Sequence, residues 1–136
     1  MKLRLLSRKR FRVASVAEKN TENVEKFLQD ASAQWPAYAK GCYALFERYA
    51  EYGRQGMMAD WFHEADKQCE IWQFKKGRLR VYCFLDDGDL IILTHGSVKK
   101  SQKADSKQVE KAVKLKAQYE QDKALNKIIF LESDRG

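Results

Sequence analysis

Residues 78–96 read RLRVYCFLDDGDLIILTHG, and their pattern decides the fold. Leu79, Val81, Cys83 and Leu85 share one parity; Arg78, Arg80, Tyr82 and Phe84 share the other. Successive side chains of a strand point to opposite faces, so the alternation predicts a strand with one face on a core. The other face, with two arginines and a tyrosine, is expected to point away from that core. Asp87-Gly88 is a tight-turn dipeptide, and Asp89 to His95 reads as the next strand. Upstream, Lys76-Gly77 turns the chain out of an earlier strand at about Cys69 to Lys75. Together these make a three-stranded antiparallel meander.

Farther toward the N-terminus, Trp35-Pro36 separates two helical patterns. A residue before proline is pushed out of the α region, and proline suits a first helical turn. Val24, Phe27, Leu28 and Ala31 form one apolar face, with Asn20 and Thr21 as candidate caps. Tyr38, Cys42, Leu45, Phe46 and Tyr49 form the stripe of the second helix, which stops near Gly53 and Gly56. This predicts an αα-hairpin. A first strand is expected within Lys9 to Ala17. Asp105 with Gln108 reads as a capping box that starts a last helix running to about Lys123. Ile128 to Leu131 is either a short edge strand or a packed tail. His63-Glu64-Ala65-Asp66 is read as a surface loop, since its spacing fits no strong ligand pattern. The expected architecture is α+β, a single domain over residues 1–136. An antiparallel sheet, the N-terminal strand plus the meander, packs on the helical hairpin, with a C-terminal helix.

A chain of 136 residues that is 44% hydrophobic can bury a real core without covalent staples. Cys42, Cys69 and Cys83 are odd in number and widely spaced, which suggests neither a disulfide framework nor a zinc site. No apolar run approaches the roughly 18–20 residues that span a bilayer. No apolar stretch follows the charged segment Met1 to Arg12 as it would in a signal peptide. A cytoplasmic protein is expected, with no membrane partner, no metal and no cofactor. The net charge is +7 and it is segregated. Residues 1–20 carry seven basic and one acidic side chain, residues 71–103 seven and three, and the stretch between them five and nine. Segregated positive charge points to a polyanionic partner, most simply nucleic acid.

The element order, with Arg78 to Leu85, then Leu90-Ile-Ile-Leu-Thr-His-Gly96, then Val98-Lys-Lys-Ser-Gln-Lys103, resembles the RelE/HigB toxin superfamily. The phage-derived HigB-like branch is the nearest in pattern. The resemblance covers roughly Glu70 to Tyr119. It departs from the family where Ala104-Asp105-Ser106 stands in place of the usual proline before the last helix. What it implies is a RelE-like fold and the toxin of a type II toxin–antitoxin pair. The implied activity is ribosome-dependent, metal-independent mRNA cleavage, and the implied partner a small helix-turn-helix antitoxin.

RNA cleavage without a metal requires three things: removal of the 2′-hydroxyl proton, stabilisation of charge on the transferring phosphate, and protonation of the leaving 5′-oxygen. Arg80 matches the family's strand arginine, and its planar fork suits a phosphate; otherwise it is a surface arginine in an ion pair. Lys99 and Lys100 match the basic loop and suit phosphate binding or proton donation; otherwise they are a solvated pair. His95 matches the family's Leu-His-Gly and suits a general acid or base, or a packed histidine at a strand end. Tyr82 suits stacking on a base, or is a half-buried strand aromatic. Lys75, Lys76, Arg78 and Lys103 complete the expected RNA contacts. The alternative is a non-catalytic binding module on the same scaffold, such as a ParE-like gyrase poison or a phage regulator. Such a protein has no need of the cluster formed by Arg80, His95, Lys99 and Lys100.

Overall fold

The computed structural model describes residues 1–19, 23–101 and 105–131. The chain begins with a hairpin of β1 (Lys2–Arg8) and β2 (Arg12–Val16), followed by α1 (Val24–Ala31) and α2 (Pro36–Tyr52). Four strands come next: β3 (Phe62–Asp66), β4 (Ile71–Lys76), β5 (Leu79–Leu85) and β6 (Leu90–Val98). The last elements are α3 (Ser106–Ala124) and β7 (Ile129–Leu131). All seven strands form one sheet in the order β3-β4-β5-β6-β2-β1-β7.

The meander and the helical hairpin stand where the sequence puts them. Pro36 opens α2 and Gly53 ends it, with φ 71° and its N–H bonded to the Tyr49 carbonyl. Leu79, Val81 and Cys83 are fully buried in the core under α1 and α2. The side chain of Asn23 caps α1 by accepting from the Lys26 N–H at 2.8 Å; Asn20 and Thr21 lie outside the described residues.

The sheet is mixed, not antiparallel. The strands β2 and β6 run parallel with Val13 opposite Ile91, and β7 runs parallel to β1. The helical hairpin and meander supply the long connection that a parallel pair needs. The N-terminal region is two strands where one was expected. A register shift between Leu5 and Ser7 breaks the alternation of β1, which hides it from a period-two reading. His63 to Asp66 is an edge strand and not a loop. Phe62, opposite Phe74, is its one fully inward anchor.

The second face of the sheet is largely covered. Ala112, Leu115 and Tyr119 of α3 close over Tyr82 and Phe84, which are 2% and 1% exposed. The expected open face is therefore restricted to its end near the β4–β5 turn. The Tyr119 hydroxyl donates to Asp86, and Lys123 Nζ lies 2.9 Å from the same carboxylate. These bonds pin the far end of α3 to the β5–β6 turn. Helices on both faces of one sheet thus give two cores.

Candidate functional site

Two rows of paired residues cross the α3 face beside the start of that helix. One is Gln73, Tyr82 and His95; the next is Lys75, Arg80 and Ser97. A bulge in β6 builds the first row. Tyr82 pairs with His95 while Cys83 pairs with Leu93, so Thr94 is an extra residue. Ile91 and Leu93 face the helical hairpin, and an unbroken strand would send His95 there too. The bulge turns it to the α3 face instead.

There His95 stacks on Tyr82 with ring centroids 5.1 Å apart and planes 13° from parallel. Its Nε2 lies 2.8 Å from Gln108 Oε1. Its Nδ1 lies 3.0 Å from the Thr94 hydroxyl, whose single proton is shared between that nitrogen and the Tyr82 carbonyl, 3.1 Å away. Burial pushes the imidazole pKa down to about 4 against the smaller upward pull of the Gln108 bond. At neutral pH the ring is uncharged, with its Nε2–H donated to Gln108. Both nitrogens are engaged in a residue that is 1% exposed. His95 is thus set as a wall behind the site. Tyr82 is likewise too deeply buried to offer a ring face to a base.

Asp105 stands at the N-cap of α3, but its side chain makes no cap bond. Gln108 does not reach back to close the expected capping box; its amide holds His95. Asp105 lines two adjoining grooves, and Lys99 is the other residue common to both. The first groove, of about 560 Å³, lies between α3 and the β3–β4 edge. The second, of about 480 Å³, adds Ser97, Lys100, Ser101 and Gln108. Burial raises the Tyr82 pKa, and the charge of Asp105 raises it further.

Arg80 is half-buried beside Ser97 of the second groove. One nitrogen, Nη1, donates to the carbonyls of Gly77 at 2.7 Å and Leu79 at 3.0 Å. Burial lowers its pKa, and neighbouring Tyr82 offsets part of that. Lys75 is directly opposite it on β4. The Arg78 carbonyl accepts from the Lys99 N–H at 2.7 Å, which ties the basic loop to the β4–β5 turn. Lys76 is separate from this group. It belongs to the opposite face, where its side chain lies across Gly41 of α2, so close that a Cβ there would meet Lys76 Cε at 2.6 Å. Lys100 and Arg78 are exposed, and Lys103 lies outside the described residues.

Three of the seven N-terminal cations are drawn into ion pairs. Arg4 meets Glu25 at 3.5 Å, Lys9 meets Glu47 at 3.4 Å, and Arg12 forks onto Asp89 at 3.0 and 3.1 Å. The basic footprint is correspondingly weaker at that end of the molecule. His63 Nδ1 donates to the Ala59 carbonyl at 3.1 Å, and its Nε2 accepts from the Gln73 amide at 2.9 Å. Among the described residues, no three His, Cys, Asp or Glu side chains gather as metal ligands, and no helix is long and apolar enough to cross a membrane.

Sequence reasoning passed over Asp105 as a groove residue, since its place before a helix has a sufficient explanation in capping. It also passed over Gln73 and Ser97, which carry no motif, and assigned Gln108 to the capping box alone.

Residues 37–117 match the model of a family described as Phage derived protein Gp49-like (DUF891). The match covers more than half of the chain, from α2 through the meander into α3, and takes in both rows and both grooves. No curated protein matches the chain.

Proposed function

The chain belongs to the phage-derived Gp49-like family, within the RelE/HigB-like toxin superfamily, and from that premise we propose that it is the toxin of a type II toxin–antitoxin pair, of the HigB-like branch, and a ribosome-dependent mRNA endonuclease. One observation carries this reading. Arg80 and Lys75 stand side by side in the strand row whose third member, Ser97, lines the second of the two grooves that Lys99 and Asp105 share. Cations fixed beside a carboxylate suit phosphate transfer, where charge must be stabilised and a proton moved.

In the proposed reaction Asp105 takes the proton of the 2′-hydroxyl. The 2′-oxygen attacks the adjacent phosphorus, with Arg80 and Lys75 balancing the charge on the non-bridging oxygens. The bond from phosphorus to the 5′-oxygen breaks, and Lys99 or Lys100 protonates that oxygen. The products are a 2′,3′-cyclic phosphate and a 5′-hydroxyl. His95 acts here only through Tyr82 and Gln108, as a positioning residue. The proposed partners are mRNA on the ribosome and a small helix-turn-helix antitoxin, in the cytoplasm. The test is incubation of the purified chain with mRNA, free and on programmed ribosomes. Cuts on ribosomes alone are expected, and cuts in neither would remove the endonuclease reading.

The second reading is the binding module, and one observation favours it. The bonds from Arg80 to the Gly77 and Leu79 carbonyls are those of a residue that braces a turn. In that case Arg80→Ala lowers stability without a specific loss of chemistry.

A further inference from the structure

The first groove has a lining that the cleavage chemistry does not use. The Tyr82 side chain forms part of its floor, and Ala65 of β3 with Val109 and Val113 of α3 gives it apolar walls. Beyond Asp105 its rim carries two more carboxylates, Asp66 and Glu110, against the lysines Lys99 and Lys114. The Asp66 carboxylate is held in place by the Cys69 N–H, which donates to Oδ1 at 2.8 Å. The neighbouring groove has Lys99 and Lys100, two serines and one amide, with Asp105 as its one acid among the described residues. The two compartments therefore differ in what they accept. Among the described lining residues, carboxylates outnumber lysines three to two in the first and lysines outnumber carboxylates two to one in the second, so phosphate favours the second. A flat apolar ring carrying N–H donors suits the first, since its faces meet valine and alanine and an ionised carboxylate can only accept hydrogen bonds.

We propose that the groove between α3 and the β3–β4 edge is a nucleobase pocket that selects bases with an exocyclic amino group, with the phosphate of the same nucleotide seated in the adjoining lysine groove. Guanine, adenine and cytosine can each donate an amino N–H to Asp66 or Glu110. Uracil has no amino group and presents carbonyl oxygens on both sides of its one ring N–H, so it meets the acidic rim with like-charged edges. Discrimination thus comes from repulsion as well as attraction. The phosphate half of the proposal rests on the RNA-cleavage reading. The base half does not require cleavage, and it names what would decide where a cut falls.

The experiment is calorimetric titration of the full chain with the four nucleoside 3′-monophosphates and with ribose 3-phosphate. The three amino-bearing nucleotides are expected to bind about tenfold or more tightly than 3′-UMP, the worth of one hydrogen bond to a charged acceptor. The double change Asp66→Asn with Glu110→Gln keeps volume and the Cys69 bond, and should bring all four to one affinity. Val113→Trp should fill the pocket and reduce all four to the affinity of ribose 3-phosphate. Equal binding of the four by the parent chain would overturn the proposal, as would a double variant that sorts them as before. So would a parent chain that binds none of them while an antitoxin peptide occupies the groove. A cleavage map run in parallel separates the two readings. A chain that sorts nucleotides but cuts no RNA refutes the endonuclease and keeps the pocket. A chain that cuts RNA at all bases alike, and does so unchanged with Val113→Trp, refutes the pocket.

Discussion

The His95 imidazole lies against the Tyr82 ring, 5.1 Å between centroids, because Thr94 is inserted as an extra residue into the strand between Leu93 and His95. That insertion converts a residue with the parity of the hairpin core into the back wall of the groove at α3. The arrangement stores a neutral histidine in the interior, and stability is linked to pH through it.

The folded pKa of about 4 lies below the ordinary 6.5. The unfolded chain therefore binds more protons than the folded one between those values. The contribution is complete above pH 6.5 and is lost as pH falls toward 4. Denaturant titration should show a loss of about 2 kcal/mol between pH 7.5 and pH 5 from this group. The variant His95→Gln should flatten that slope; an unchanged slope would mean that the imidazole is not buried as described.

Gln108 is the partner of the His95 N–H and also the residue expected to close the helix cap. Replacing it with alanine strands a buried donor, which costs about 1–3 kcal/mol. Asp105→Ala should cost far less in stability, since its side chain makes no cap bond. Melting curves of the two variants settle the order. A larger loss for Asp105→Ala would restore the capping box.

Leu115 and Tyr119 bury the α3 stripe on the second core. Leu115→Ala should destabilise the fold by about 2–4 kcal/mol. Exposed Lys111 on the same helix should tolerate alanine with little change. Equal melting temperatures for the two would mean that α3 is only loosely held.

Expression of the chain alone should arrest growth of a bacterial host, and co-expression of an acidic antitoxin partner should relieve it. Growth unaffected by high levels of folded protein would count against the toxin reading.

The meander and helical hairpin were legible because their signals are local. Residues 79–85 alternate cleanly, and Trp35-Pro36 and Gly53 punctuate the helices. The parallel pairing of β2 with β6 was not legible, since Val13 and Ile91 are joined only through the fold. The covering of Tyr82 and Phe84 was hidden for a related reason. Leu115 and Tyr119, which help cover them, lie among lysines and glutamines and carry no strong apolar signal. Arg80, Lys99 and Lys100 were legible as cations of one region. The burial of His95 depends on a one-residue bulge, and nothing in Leu-Thr-His-Gly announces it.

The most direct test of the central claim is mRNA cleavage on programmed ribosomes by the parent chain and by Arg80→Ala, Lys99→Ala and Lys111→Ala, with thermal melts alongside. Loss of one transition-state charge contact is worth roughly 10²–10³ in rate. Arg80→Ala should be slowed by about that factor even at temperatures where its melt shows it fully folded. Lys99→Ala should be slowed less, since Lys100 partly replaces it, and Lys111→Ala should match the parent. Cleavage by folded Arg80→Ala at the parent rate would contradict the account, because the cationic row beside the two grooves would then have no part in the chemistry.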